Sequence, residues 1–200
     1  MGIEGFTDLL LQTFDSRDQR ELAFRIMEST SRIEGILFDL QHYDDPLEAR
    51  FHEYPADSAA EDLLSVLADS EAKRLRIEVK VSDTVKIKAD ETLLRQSLLA
   101  IVRNAIEATP DKTAPVGLTV EALSNGSEVA FKIYNPGPIS DSEIRRKMFD
   151  PFFTTKTSNL GLGLSLARRI ARIHGGELEL TSGPEEPGTE PTLRLPVLSD

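Results

Sequence analysis

The stretch FDPFFTTKTSNLGLGLSLARRI, Phe149 to Ile170, constrains the fold more than any other part of this chain. Two adjacent aromatics stand in an irregular segment, a Thr-Thr-Lys follows, and two glycines then alternate with leucines at the start of an amphipathic helix. A helix start leaves N–H groups without intrahelical partners, and the dipole behind them favours an anion. Glycine lets the backbone approach a phosphate closely. The segment therefore reads as a phosphate cradle, Gly161 and Gly163, behind a lid. Phe149, Phe152 and Phe153 would anchor that lid, and Lys156 could reach a phosphate. The pattern lacks the G-K-[ST] of a P-loop and does not follow a strand as a dinucleotide fingerprint does. Glycines at a helix start are also common without any ligand, and Lys156 can equally be a solvated surface charge.

The surrounding chain reads as α+β. A helix spans about 58–72, and the alternating strands RIEVKVS and VKIKAD come next. A long helix runs from about Glu91 to Thr109 and is ended by Pro110. GLTVEALSNGSEVAFKIYN reads as a hairpin around Asn125-Gly126. A helix from about Leu162 to His174 stops at Gly175-Gly176, and the strands ELELTS and TLRLPV follow. The pattern predicts a two-layer α/β sandwich: one mostly antiparallel sheet with its helices on one face. Residues 42–58, with two prolines and no periodicity, read as a linker. The first fifty residues read as two helices. Leu22, Ile26, Ser29, Ile33, Ile36 and Leu40 step at coiled-coil spacing, which predicts a hairpin that dimerises into a four-helix bundle. A hairpin packed on its own domain satisfies the same pattern. The expected domains are thus 1–50 and 51–200.

A net charge of -11 argues against general binding to nucleic acid or a membrane surface. With no cysteine there is neither a disulfide framework nor a thiolate metal site. No apolar run approaches the roughly 20 residues that span a bilayer, and the N-terminus lacks a basic signal-peptide region. The expected location is cytoplasmic, as a whole protein or as the cytoplasmic part of a larger one.

Two asparagines stand out. On the long helix, Leu94, Leu98, Ile101, Ala105 and Ala108 step at core spacing, and Asn104 lies on or beside that face. An amide there needs a partner. Its carbonyl could coordinate Mg²⁺, which takes oxygen ligands, or it could bond a neighbouring loop. Asn135 stands at a strand exit before Pro-Gly-Pro. It could read an adenine edge, having both a donor and an acceptor, or simply form the turn.

In order and spacing, RNAIEAT, NPG, FDPFFTTK, GLGLS and GTEPTLRLP resemble the ATP-binding domain of two-component sensor histidine kinases, over about Pro55 to Pro196. This is the Bergerat-type (GHKL) fold shared with gyrase-type and MutL-type ATPases. The resemblance implies that Asn104 holds Mg²⁺, and that Asn135 and Gly137 form the adenine-binding G1 box. Phe149 to Lys156, including Phe152, Phe153, Thr154 and Thr155, would form the lid. Gly161 and Gly163 would lie at the phosphates, and Thr189 in the last, adenine-side motif. It also implies ATP and Mg²⁺ as cofactors, and a response-regulator receiver domain and a second copy of the chain as partners. IEGFTDLLLQ resembles the first dimerisation helix just after its H-box.

Three features depart from the family pattern: the phosphoacceptor, the G1 box and the residue one turn before Asn104. The phosphoacceptor histidine would lie before Met1, and His42, His52 and His174 do not match it. The expectation is a fragment that begins after the H-box, or a chain without one. Asn135 stands where the G1 box has Asp, which exchanges a charge-assisted bond for a neutral one worth about 1 kcal/mol less. Ile139 stands where it has Gly. Ala100 replaces a polar residue one turn before Asn104. The expected function is the kinase core, transferring the ATP γ-phosphoryl to a histidine and on to an aspartate. The alternative is a pseudokinase or phosphotransfer scaffold acting through protein binding. A gyrase-like or MutL-like ATPase would need a catalytic glutamate, and Glu107 lies on the wrong side of Asn104 for that role.

Overall fold

The computed structural model describes residues 48–124, 126–156, 159–183 and 185–198, all within one compact unit, Glu48–Asp200. The helical hairpin expected over 1–50 and the turn residue Asn125 lie outside the described residues, apart from Glu48, Ala49 and Arg50.

The unit is built on a five-stranded sheet in the order β2-β4-β5-β7-β6. These strands are β2 (Leu75–Val79), β4 (Val116–Ala122), β5 (Glu128–Pro136), β6 (Glu177–Thr181) and β7 (Gly188–Pro196). All the pairings are antiparallel except β2 with β4, which is parallel. That exception follows from the chain path, because the long helix α3 (Glu91–Ala108) runs between those two strands, and parallel neighbours need such a crossover. Inward residues alternate along the strands: Val116, Leu118 and Val120 on β4, and Val129, Phe131 and Ile133 on β5, are all buried. They meet Leu94, Leu98, Ile101 and Ala105 of α3, and Ala167 and Ala171 of α5 (Gly163–Ile173). Ala108, expected on the same apolar stripe, is exposed. On the other side of the sheet, Lys132 pairs diagonally with Glu121 at 2.5 Å and Arg194 with Glu179 at 2.7 Å.

Three elements depart from the sequence expectation. The segment read as a linker contains β1 (His52–Pro55), which pairs antiparallel with β3 (Lys86–Ala89). The single helix expected over 58–72 is two, α1 (Ser58–Leu64) and α2 (Asp69–Ala72). Between them Ser65 Oγ donates to Asp62 O at 2.7 Å, and Ala68 N–H donates to the Glu71 carboxylate at 3.1 Å to start the second. The irregular 136–160 segment holds α4 (Ser142–Lys147), whose first N–H groups are capped by Asp141 Oδ1.

The N-terminus of α3 is a junction. Asp90 accepts from Leu93 N–H at 3.1 Å and from Arg50 N–H at 2.8 Å, while its own N–H donates to His174 Nε2 at 3.1 Å. His174 Nδ1 lies 2.8 Å from Ile170 O, so the ring bridges both partners and ties the end of α5 to the start of α3. No described helix is long and apolar enough to cross a membrane.

Candidate nucleotide site

Asn104 is half-buried in the last third of α3. Its Oδ1 accepts from Lys156 Nζ at 3.1 Å, and the same ammonium lies 2.7 Å from Glu107 Oε2. Asn104 and Glu107 are one turn apart and share a helix face. Asn159 Nδ2 donates to the same Glu107 oxygen at 2.9 Å. Lys156 is thus no solvated charge. The Asn104 carbonyl is bonded to a neighbouring loop, the alternative that its sequence position left open, while as an amide oxygen it also belongs to the donor class that Mg²⁺ takes.

The turn that delivers Lys156 is set by Thr154, whose Oγ1 accepts from Lys156 N–H at 3.0 Å. Thr155 is exposed. The aromatics divide. Phe149 packs against the core and under Arg168, 5.2 Å from ring centroid to guanidinium carbon, and Phe153 is half-buried. Phe152 does not anchor the lid through burial: it is 54% exposed and carries a φ of 64°. That left-handed backbone is costly for a side chain of this size, and it lies in a turn closed by Phe153 N–H donating to Asp150 O at 3.2 Å.

The two cradle glycines differ. Gly161 lies before the helix with φ 72°, and a Cβ there would sit 2.4 Å from Phe153 O, so the lid's own backbone demands this glycine. At Gly163, the first residue of α5, a Cβ would meet only Ala100, at 3.7 Å. Open N–H groups at the helix start lie here rather than at Gly161.

Strand ends form the other side. Asn135 on β5 is paired with Thr189 on β7, and they are 2% and 5% exposed. Asn135 Nδ2 donates to Pro136 O at 3.2 Å, which leaves Oδ1 as the group free to accept. Asn135 therefore keeps the acceptor that an Asp would supply. Thr189 Oγ1 donates to Gly137 O at 2.8 Å. Ser182 Oγ lies 2.9 Å from Thr189 Oγ1 and accepts from Ile139 N–H at 2.8 Å. One consistent proton order runs Ile139 N–H to Ser182, Ser182 to Thr189, Thr189 to Gly137 O. Gly137 has φ 113°, and a Cβ would press on Pro110 at 3.1 Å. Arg145 clamps the same turn from α4, donating to Ile139 O and to Ser140 O.

The structure thus gathers Asn104 with Lys156, and Asn135 with Thr189 and Gly137, around the far half of α3. Sequence reasoning missed Ser182, a lone serine at a strand end with no motif to mark it. It weighed Glu107 only as a hydrolytic base and so missed it as the partner of the lid.

A helix-borne amide bonded to a loop lysine, a strand-end amide beside a threonine, and a loop running into a glycine helix start stand together on an α/β fold of the Bergerat ATPase type. Residues 89–199 match the family of histidine kinase-, DNA gyrase B- and HSP90-like ATPases, and the chain belongs to that family. It is 29% identical over 198 residues to the signal transduction histidine-protein kinase AtoS of Escherichia coli (strain K12), covering 98% of this chain and 32% of that one. Full-length ShkA in complex with AMPPNP superposes with a TM-score of 0.71 at 25% identity, over 98% of this chain and 42% of ShkA. The histidine kinase ThkA in complex with the response regulator TrrA gives 0.69 at 25% identity, over 98% of this chain and 57% of ThkA. The chain spans under a third of the length of curated relatives such as AtoS.

Proposed function

We propose that this chain is the ATP-binding catalytic part of a sensor histidine kinase. The meeting of Asn104 on α3 with Lys156 of the loop that runs into α5, Oδ1 to Nζ at 3.1 Å, carries this reading. In it, Asn135 Oδ1 accepts from the adenine amino group, with Thr189 and Gly137 shaping that side. Lys156 and the N–H groups at Gly163 meet the phosphates, and Gly161 fixes the lid joint. Phe149 and Phe153 seat the lid, with Phe152, Thr154 and Thr155 forming its turn. Asn104 would hold Mg²⁺, which when bound neutralises phosphate charge. The γ-phosphoryl then leaves ADP and bonds an imidazole nitrogen of an acceptor histidine, and passes on to a response-regulator aspartate. Residues 1–50 would form the dimerising hairpin and 51–200 the catalytic domain, in the cytoplasm. The AMPPNP bound by ShkA and the regulator bound by ThkA support this reading.

Calorimetric titration tests it: the parent binds Mg²⁺-ATP and Asn104→Ala does not. Equal affinity in the two removes the metal assignment. The scaffold alternative draws on Ala100, which packs toward Gly163 and places no polar group beside Asn104. Mixing the chain with Mg²⁺-ATP and a separate first helix bearing the histidine separates the two, since only a kinase yields phosphohistidine.

A further inference from the structure

We propose that Glu107 is the positioning residue of the lid: its carboxylate holds Lys156 across Asn104 before nucleotide arrives, and nucleotide binding has to move Lys156 off that carbonyl. The inference rests on the nucleotide-site reading for its second half only.

Glu107 is the penultimate residue of α3. A carboxylate there faces the negative end of the helix dipole, so local helix stability gives no reason for it. What it does make is a clasp. One oxygen, Oε2, takes Lys156 Nζ at 2.7 Å and Asn159 Nδ2 at 2.9 Å, two residues of the same lid segment. Lys156 reaches it as a compact ammonium with three donors, and a second of these goes to Asn104 Oδ1. Thr154 sets the backbone turn that aims it. The Asn104 carbonyl cannot serve this ammonium and a divalent cation at once, because two like charges would meet at one oxygen. Lid release and metal entry are therefore one exchange, and Glu107 sets its cost. The pair is partly open to solvent, with side chains 30% and 47% exposed for Lys156 and Glu107. The effect is accordingly modest, about fivefold in an equilibrium.

Amide hydrogen exchange on the nucleotide-free full chain tests the clasp without any ligand. Exchange at Lys156 and Asn159 should rise about fivefold in Glu107→Ala and less in Glu107→Gln, which keeps an acceptor but no charge. Glu143→Gln, which breaks a surface pair with Lys147, should change neither lid amide. Mg²⁺-ATP affinity read by titration should rise about fivefold in Glu107→Ala, as the competitor is freed. Unchanged lid exchange in both Glu107 variants overturns the proposal. So does faster exchange accompanied by weaker nucleotide binding, which would make Glu107 part of the nucleotide's own contacts. If the parent does not bind Mg²⁺-ATP, the nucleotide reading fails, and the exchange experiment still decides the clasp.

Discussion

The two sides of the site are built from different material. The side formed by Asn135, Thr189 and Ser182 sits on paired strands, with Asn135 and Thr189 almost fully buried. Its hydrogen bonds run strand to turn in a continuous order around two buried side chains, and removing one partner leaves the other with part of its desolvation uncompensated. The side formed by Asn104, Glu107, Lys156 and Asn159 joins a helix face to a loop, through groups partly open to water. Such bonds exchange with solvent at little cost. The first side is built on paired strands and the second on a helix face and a loop, and substitutions should separate them by where the loss appears.

The largest effect belongs under the strand side. Phe131 is fully buried on β5, the strand that carries Asn135, and is paired with Val120 on β4 and with Leu193 on β7, the strand that carries Thr189. Phe131→Ala should cost about 3–5 kcal/mol of global stability, read from the denaturant midpoint at unchanged slope. A variant that loosened only the lid would break the distinction. Thr189→Val comes next. It keeps the volume but removes the donor to Gly137 O and the acceptor facing Ser182. About 1–2 kcal/mol should be lost, again globally, because the orphaned groups are partly buried at the ends of paired strands.

Gly161→Ala should behave differently. The left-handed φ alone costs about 1–2 kcal/mol for a residue with a Cβ, and Phe153 O stands in its way. Because the strain falls on a lid that can detach, faster exchange at Phe153 and Leu162 should report it, with the global midpoint nearly unmoved. A fall in that midpoint as large as that of Thr189→Val would mean that the lid is part of the core.

The same contrast explains what was legible beforehand. Helix α3, the β4–β5 hairpin and α5 show in the sequence because each buries a regular stripe, and period carries to burial directly. The motif residues Asn104, Asn135 and Gly163 show because a polar or bare position interrupts such a stripe. β1 did not show: four residues with a Pro find their partner in β3, more than thirty positions away, and only the pairing makes them a strand. The break between α1 and α2 was hidden because Leu63 and Leu67 are both buried, which keeps an apolar period running through the turn. Ser182 and Glu107 act through partners that are distant in sequence, and neither residue type is unusual where it stands.

The smallest effect separates the frame from the lid by condition rather than by site. Burial alone would raise the Asp90 carboxyl, but N–H groups of Arg50, Leu93 and Thr92 outweigh it and hold the carboxyl below its usual range. A carboxylate depressed in the folded state contributes stability at pH values above its unfolded value of about 3.9. That contribution is lost as pH falls through the lower, folded value. Asp90→Asn keeps an acceptor at the start of α3 but no charge, so it should cost about 1 kcal/mol at neutral pH. The gap between parent and variant should hold steady above about pH 5 and close below about pH 4. Raising salt from about 0.1 M to about 1 M should do the reverse. It should loosen the exposed Lys156–Glu107 pair, seen as faster lid exchange, and leave most of the Asp90 gap in place, because short N–H bonds hold that carboxylate. A gap that persists unchanged into acid would mean that the charge on Asp90 adds nothing to its cap, and that the frame, like the strand side of the site, is held by neutral hydrogen bonds alone.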